Sequence, residues 1–270
     1  MTTAILLSLL ALGAGAGFMA GLFGVGGGMV MVPFLTMVFA ARGIPPELIV
    51  QMSLATALAT IMFTSLSSLR AHHKAGAVLW PVVWMLVPGI LLGGQLGARI
   101  VTYLPGRLLA GLFAVFVGWT AWKMLRSARQ GGAGLAGTPL PGRLGLAGTG
   151  VGIGILSALF GAGGGFITVP YLASHQVPFP KAIATSAACG FPIALSGTLG
   201  YLLVGWWLQL PGGALAYIDL GVLLAIVPMS MLFAPLGARA AHRLPVARLK
   251  RLFAGLLFCL AVYMLLARAI

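Results

Sequence analysis

Acidic residues are nearly missing from this chain of 270 residues: Glu47 and Asp219 are the only two. Charged residues of both signs make up 7% of it, against about 25% in a soluble domain. Water could not solvate a surface so poor in charge, whereas a bilayer core accepts apolar side chains and penalises ions. No Asp or Glu falls in the middle of an apolar stretch, so the usual mark of cation transporters and proton relays is missing. Cysteine is as scarce. Cys189 and Cys259 each stand alone in an apolar segment, without metal-site spacing, and read as small core residues. No Ser-His-Asp set, metal cluster or nucleotide loop can be assembled. Neither an enzyme nor an ATPase is expected, and no metal or cofactor.

What is present is 60% hydrophobic, with forty glycines that would let membrane helices approach closely. Sixteen Lys and Arg give a net charge of +14. They gather in short loops between apolar stretches, which fits topology signals facing anionic lipid better than a nucleic-acid surface. Residues 4–22 are apolar with no Lys or Arg before them, so they read as a membrane segment and not as a cleaved leader.

The chain repeats itself. Leu22-Phe-Gly-Val-Gly-Gly-Gly-Met-Val-Met-Val-Pro33 recurs as Leu159-Phe-Gly-Ala-Gly-Gly-Gly-Phe-Ile-Thr-Val-Pro170, with eight of twelve positions identical. Pro45 and Ser53 pair with Pro178 and Ser186, and Leu96-Gly-Ala-Arg99 with Leu236-Gly-Ala-Arg239. One membrane repeat covers 1–126, a Gly-, Pro- and Arg-rich linker 127–143, and a second repeat 144–270. Apolar segments fall at about 4–23, 28–41, 48–69, 77–101 and 107–125, then 145–161, 165–175, 182–205, 216–238 and 249–268. Two of them, each following a glycine run, are shorter than the roughly 20 residues of a spanning helix.

Charge decides how many cross. With ten crossings the basic residues split 12 to 4 between the two sides; with the two short segments re-entrant the split is 7 to 9. The positive-inside rule favours ten, with both termini outside and the linker cytoplasmic. Five segments per repeat is odd, so the second repeat is expected to be inverted. The fold class is therefore an all-α polytopic membrane protein of two inverted repeats, about five segments each, with helices broken at the glycine motifs. Such inversion characterises secondary transporters with a midplane site.

The glycine runs are the first candidate site. Gly26, Gly27 and Gly28, and Gly163, Gly164 and Gly165, break the helix in apolar surroundings where free backbone amides cannot face lipid. New helices starting at Met29 and Phe166 would aim free N–H groups at an anion. The plainer alternative is close helix packing with no ligand. Polar residues of the third segments come next: Gln51, Ser53 and Thr56 in one repeat, Thr185 and Ser186 in the other. Hydroxyls and amides bind oxyanions, although Ser and Thr also commonly bond their own helix backbone. Arg99 and Arg239 read as interfacial anchors. His72, His73 and Lys74 read as a loop, with no metal site because adjacent histidines do not share a helix face.

The paired Leu-Phe-Gly-x-Gly-Gly-Gly…Val-Pro runs, with Leu-Gly-Ala-Arg at 96–99 and 236–239, resemble the TauE/SafE family. That resemblance implies a sulfite exporter or related sulfur-anion transporter, and a bacterial inner membrane. The expected function is a secondary transporter moving a small sulfur-containing anion (sulfite, thiosulfate or organosulfonate class) by alternating access. A passive anion channel and a membrane scaffold without transport are the rivals. The expected partners are that anion and the lipid bilayer, with no nucleic acid.

Overall fold

A computed structural model describes residues 3–105, 139–207 and 214–267, together with helical positions scattered between 108 and 126. Most of the linker lies outside the described residues. Helices α1 (Thr3–Phe23), α2 (Gly28–Ala41), α3 (Pro46–Lys74) and α4 (Trp80–Tyr103) precede it. Helices α5 (Arg143–Phe160), α6 (Gly165–Ser174), α7 (Phe179–Gly205), α8 (Leu220–Arg243) and α9 (Val246–Ala267) follow it. Among them α1, α3, α4, α5, α7 and α8 are long and apolar enough to cross a membrane. The chain is thus a nearly all-helical, multi-pass membrane protein, as its composition requires.

Two expected helix boundaries are corrected. The segment expected from 216 begins later, because Ala214–Leu215 (β1) and Ile218–Asp219 (β2) pair as a small antiparallel hairpin. Ala216 at its tip has φ 52°, and the Asp219 carboxylate accepts from the Val222 amide at 2.9 Å. An Asx N-cap starts the helix at Leu220. In the other direction α3 runs on through His72, His73 and Lys74, where basic residues suit the negative end of the helix dipole.

Two glycine seams hold the bundle together. On α1, Gly13, Gly17 and Gly21 meet the backbone carbonyls of Ile226, Ser230 and Ala234 on α8; a Cβ at Gly13 would sit 2.6 Å from the Ile226 oxygen. On α4, Gly89, Gly93 and Gly97 meet those of Ala147, Val151 and Ile155 on α5. Glycines four apart form one flat stripe per helix, which lets the backbones touch. The outer faces carry Leu7, Leu92, Leu203, Leu224 and Leu232, all exposed to where lipid would lie. Cys189 is buried, but Cys259 is exposed. That corrects its reading as a core residue, because an apolar run in a membrane protein has an outward face too.

Contacts fix the chain directions. The α1 seam advances along α8 in the same sense, so those helices are parallel, as are α4 and α5. Gly197 opposes Leu58 and Gly190 opposes Ser65, so α3 and α7 cross antiparallel. Gly17 and Thr64 both meet Ser230, and Gly21 meets His72, so α1 and α3 run parallel. The stretch from Gly24 to Pro45 therefore carries the chain back along the whole bundle. It does so with a short helix and a glycine-rich turn.

Candidate functional site

The two glycine loops meet at the crossing of α3 and α7. Gly24, Gly26 and Gly27 have φ of 66°, 73° and 81°, and Gly161 and Gly164 have 59° and 74°. These left-handed conformations are the reason for glycine at those positions. The helices beyond them start at Gly28 and Gly165, one residue before the expected Met29 and Phe166. The loops touch directly: the Gly163 amide donates to the Val25 carbonyl at 3.1 Å, and Gly28 lies against the Gly161 carbonyl. Everything from Gly21 to Met29 and from Leu159 to Phe166 is buried. Met29 and Phe166 fill the core with their side chains, so only their backbone could face a ligand.

Each loop also rests on the long third helix of the opposite half. The Ser186 hydroxyl donates to the Gly24 carbonyl at 3.0 Å, and Gly161 packs on Leu54. The other predicted polar residues are not gathered there. Ser53 donates to its own Ile49 carbonyl at 2.7 Å. Thr185 accepts from the Leu79 amide, and Thr56 from the Asp219 amide, each at 3.1 Å. Because α3 and α7 are antiparallel, Ser53 and Ser186 lie on opposite sides of the α3–α7 crossing, Ser186 bonded to the first glycine loop and Ser53 to its own helix. Gln51 borders a separate cavity of about 450 Å³ with Glu47, Thr102, Tyr103 and Pro105, and its buried Oε1 has no partner among the described residues.

The structure adds groups that spacing alone did not single out. Ser157 and Thr168 are fully buried, and their hydroxyls have no partner among the described residues. The Ser157 Oγ lies 3.2 Å from where a Cβ on Gly164 would stand, against the start of α6. The equivalent positions of the first motif are Ala20 and Met31, so only the second loop is polar. That contrast was visible in the aligned motifs and is the signal that could have found it.

A second polar array lies on α3. Thr56, Thr60, Thr64, Ser68 and His72 recur every fourth residue and are all buried. At one end of this stripe Asp219 is paired with Arg42 at 2.6 Å, with side-chain exposures of 4% and 24%. Asp219, at the start of α8, is buried against the Thr56 turn. At the other end His72 bonds the Gly21 carbonyl at 2.9 Å and His242 at 3.0 Å. Thr64 donates to Ser230 at 2.7 Å in between. Arg99 and Arg239 are exposed, which suits anchors. Among the described residues no group of His, Cys, Asp and Glu could hold a metal.

Comparison with known proteins agrees with this architecture. The family model described as sulfite exporter TauE/SafE matches residues 9–264. A Haemophilus influenzae protein described as a probable membrane transporter protein is 38% identical over 268 residues, covering 98% of this chain and all of the relative. Proteins with the same description from Xylella fastidiosa (30% identical; 83% of this chain, 87% of theirs) and Methanocaldococcus jannaschii (25%; 93% and 91%) also match. No solved structure matches the chain. Membrane transport is the activity these likenesses support.

Proposed function

The chain belongs to the sulfite exporter TauE/SafE family, and from that premise we propose that it is a secondary transporter of a small sulfur-containing anion, of the sulfite, thiosulfate or organosulfonate class, working by alternating access. One observation carries this reading: two broken helices begin side by side in the buried centre, and the start of α6 faces the Ser157 hydroxyl, which has no partner among the described residues. The first amides of a helix have no partner within it and carry the positive end of its dipole. Amides at Gly163–Gly165 with the Ser157 and Thr168 hydroxyls would hold an oxyanion without a fixed counter-charge. The antiparallel crossing of α3 and α7 supports inverted halves, which could rock about this centre. An anion arriving at the Gly163 amide would compete with the Val25 carbonyl. Binding would then loosen the tie between the two loops, which links occupancy to movement of the halves. The basic ends of α3 and α8 lie on one side, which the positive-inside rule makes cytoplasmic in a bacterial inner membrane.

The test is the thermal stability of the detergent-purified protein against sulfite, thiosulfate, sulfoacetate, sulfate and chloride. A ligand bound only by the folded state raises the melting temperature with concentration. We expect one sulfur anion to do so selectively. Ser157→Ala should weaken it about tenfold or more, since a hydrogen bond to a charged group contributes about 1.5–3 kcal/mol. Unchanged affinity in a folded Ser157→Ala, Thr168→Val protein would remove the site from α6. Saturable counterflow in proteoliposomes identifies a carrier; unsaturable flux without counterflow identifies a passive channel instead.

A further inference from the structure

The His pair at the basic end of α3 has no part in anion recognition as described, yet it is built with care. His72 is fully buried one turn beyond Ser68. Its Nε2 faces the Gly21 carbonyl at 2.9 Å, and because a carbonyl only accepts, that nitrogen carries the hydrogen. Its Nδ1 is therefore the acceptor, taking the Nε2 hydrogen of His242 at 3.0 Å. His242 is exposed. Gly21, Ser68 and His242 belong to three different helices, and Gly21 lies one turn before the first glycine loop.

We propose that His72 and His242 form the proton-binding site that couples anion movement to a proton gradient. This rests on the transport reading above. A proton reaching His242 Nδ1 from water lets His242 pass its Nε2 hydrogen to His72 Nδ1. His72 becomes an imidazolium with both N–H groups satisfied, by the Gly21 carbonyl and by the Nε2 lone pair of a now neutral His242. One proton is added and no hydrogen bond is lost. A second would set two N–H groups against each other, so the pair takes one. Imidazole is the side chain suited to such cycling near neutral pH.

The surroundings explain the coupling. The charged and histidine side chains at this end of the elements around the pair are Arg70, His73 and Lys74 on α3, Arg239 and Arg243 on α8, Lys181 on α7, and Arg248, Lys250 and Arg251 on α9; α1 has none. None is acidic. Both carboxylates lie at the other end, Asp219 bound to Arg42 and Glu47 at the start of α3. A further positive charge here is disfavoured by its neighbours and favoured when an anion enters the centre. Proton and anion then bind in each other's favour, which is reciprocal coupling between two sites. The buried stripe Ser68, Thr64, Thr60, Thr56 continues from His72 toward the opposite end, and the Ser68 hydroxyl has no partner among the described residues.

His72→Gln tests this. A Gln amide can donate to the Gly21 carbonyl and accept from His242, but does not titrate. In proteoliposomes with ³⁵S-labelled sulfite or thiosulfate, an imposed pH gradient should raise net flux several-fold in the native protein and leave His72→Gln unmoved, while its counterflow persists. Equal acceleration of both would overturn the proposal. If neither protein shows counterflow, the substrate reading fails and the proton site is judged separately. Nitrogen NMR of ¹⁵N-histidine protein should then show the pair taking up one proton between pH 8 and 5. A pair that stays neutral across that range, with and without sulfite, overturns it.

Discussion

Asp219→Ala is expected to lower the melting temperature of the purified protein by about 10 °C. The substitution strips the partly buried Arg42 of its counter-charge and α8 of its cap at once. Removing one partner of a buried ion pair costs about 3–5 kcal/mol. Arg42 is about a quarter exposed, which brings the figure toward 3 kcal/mol even with about 1 kcal/mol added for the cap. For a chain of this size each kcal/mol moves the midpoint by about 2–4 °C. Asp219→Asn keeps an oxygen for the Val222 amide and should lose only the ion-pair part. Arg42→Gln combined with Asp219→Asn should recover stability relative to Asp219→Asn alone, because no guanidinium is left unpaired. If the two Asp219 variants melt alike, the cap contributes nothing. If neither melts lower than the native protein, the pair does not hold the hairpin against the Thr56 turn.

Gly28→Ala is expected to prevent recovery of a folded, monodisperse protein. Its Cβ would enter the Gly161 carbonyl and stand 2.5 Å from Ile61 Cδ1 and 3.2 Å from the Ala162 Cα. Two of these obstacles are backbone, belonging to a loop buried on every side. Overpacking a tight core by one carbon costs about 1–3 kcal/mol where side chains can give way, and more where they cannot. Gly43→Ala is the control. Gly43 has φ 71° but open space around it, so the change should cost only the left-handed strain of about 1–2 kcal/mol and leave the fold intact. Size-exclusion profiles and circular dichroism of both proteins decide the matter. A well-folded Gly28→Ala protein would mean that the loops are less closely joined than the Val25–Gly163 hydrogen bond requires.

The helices were legible because each is an apolar run closed by a breaker. Pro45 and Pro178 cap α3 and α7 with the same backbone, φ −53° and ψ near 135°, just where the aligned motifs pair them. The glycine loops were legible because a left-handed turn needs glycine and the motif occurs twice. The hairpin before α8 was not legible, since Ala214–Asp219 is too short to have a period of its own. Nor was the exposure of Cys259, because hydropathy alone does not separate a side chain facing lipid from one facing the core. The α3 stripe could have been found. Five polar residues four apart ending in His72 form a pattern, although hydroxyls in membrane helices so often bond their own backbone that Ser53 and Thr60 dilute it.

The amino-acid sequence by itself determined that this chain lives in a bilayer, where its helices break, and which of its loops are basic. Those properties follow from local composition: transfer free energy adds along a segment, and glycine's freedom belongs to a single residue. Only the tertiary structure decided the partnerships. It joined Asp219 to Arg42 across 177 positions and His72 to His242 across 170, and it left Ser157 facing the start of α6 with no partner among the described residues. A buried polar group takes its meaning from what stands within about 3 Å of it. At that range the neighbours are chosen by how helices cross, which no local pattern encodes.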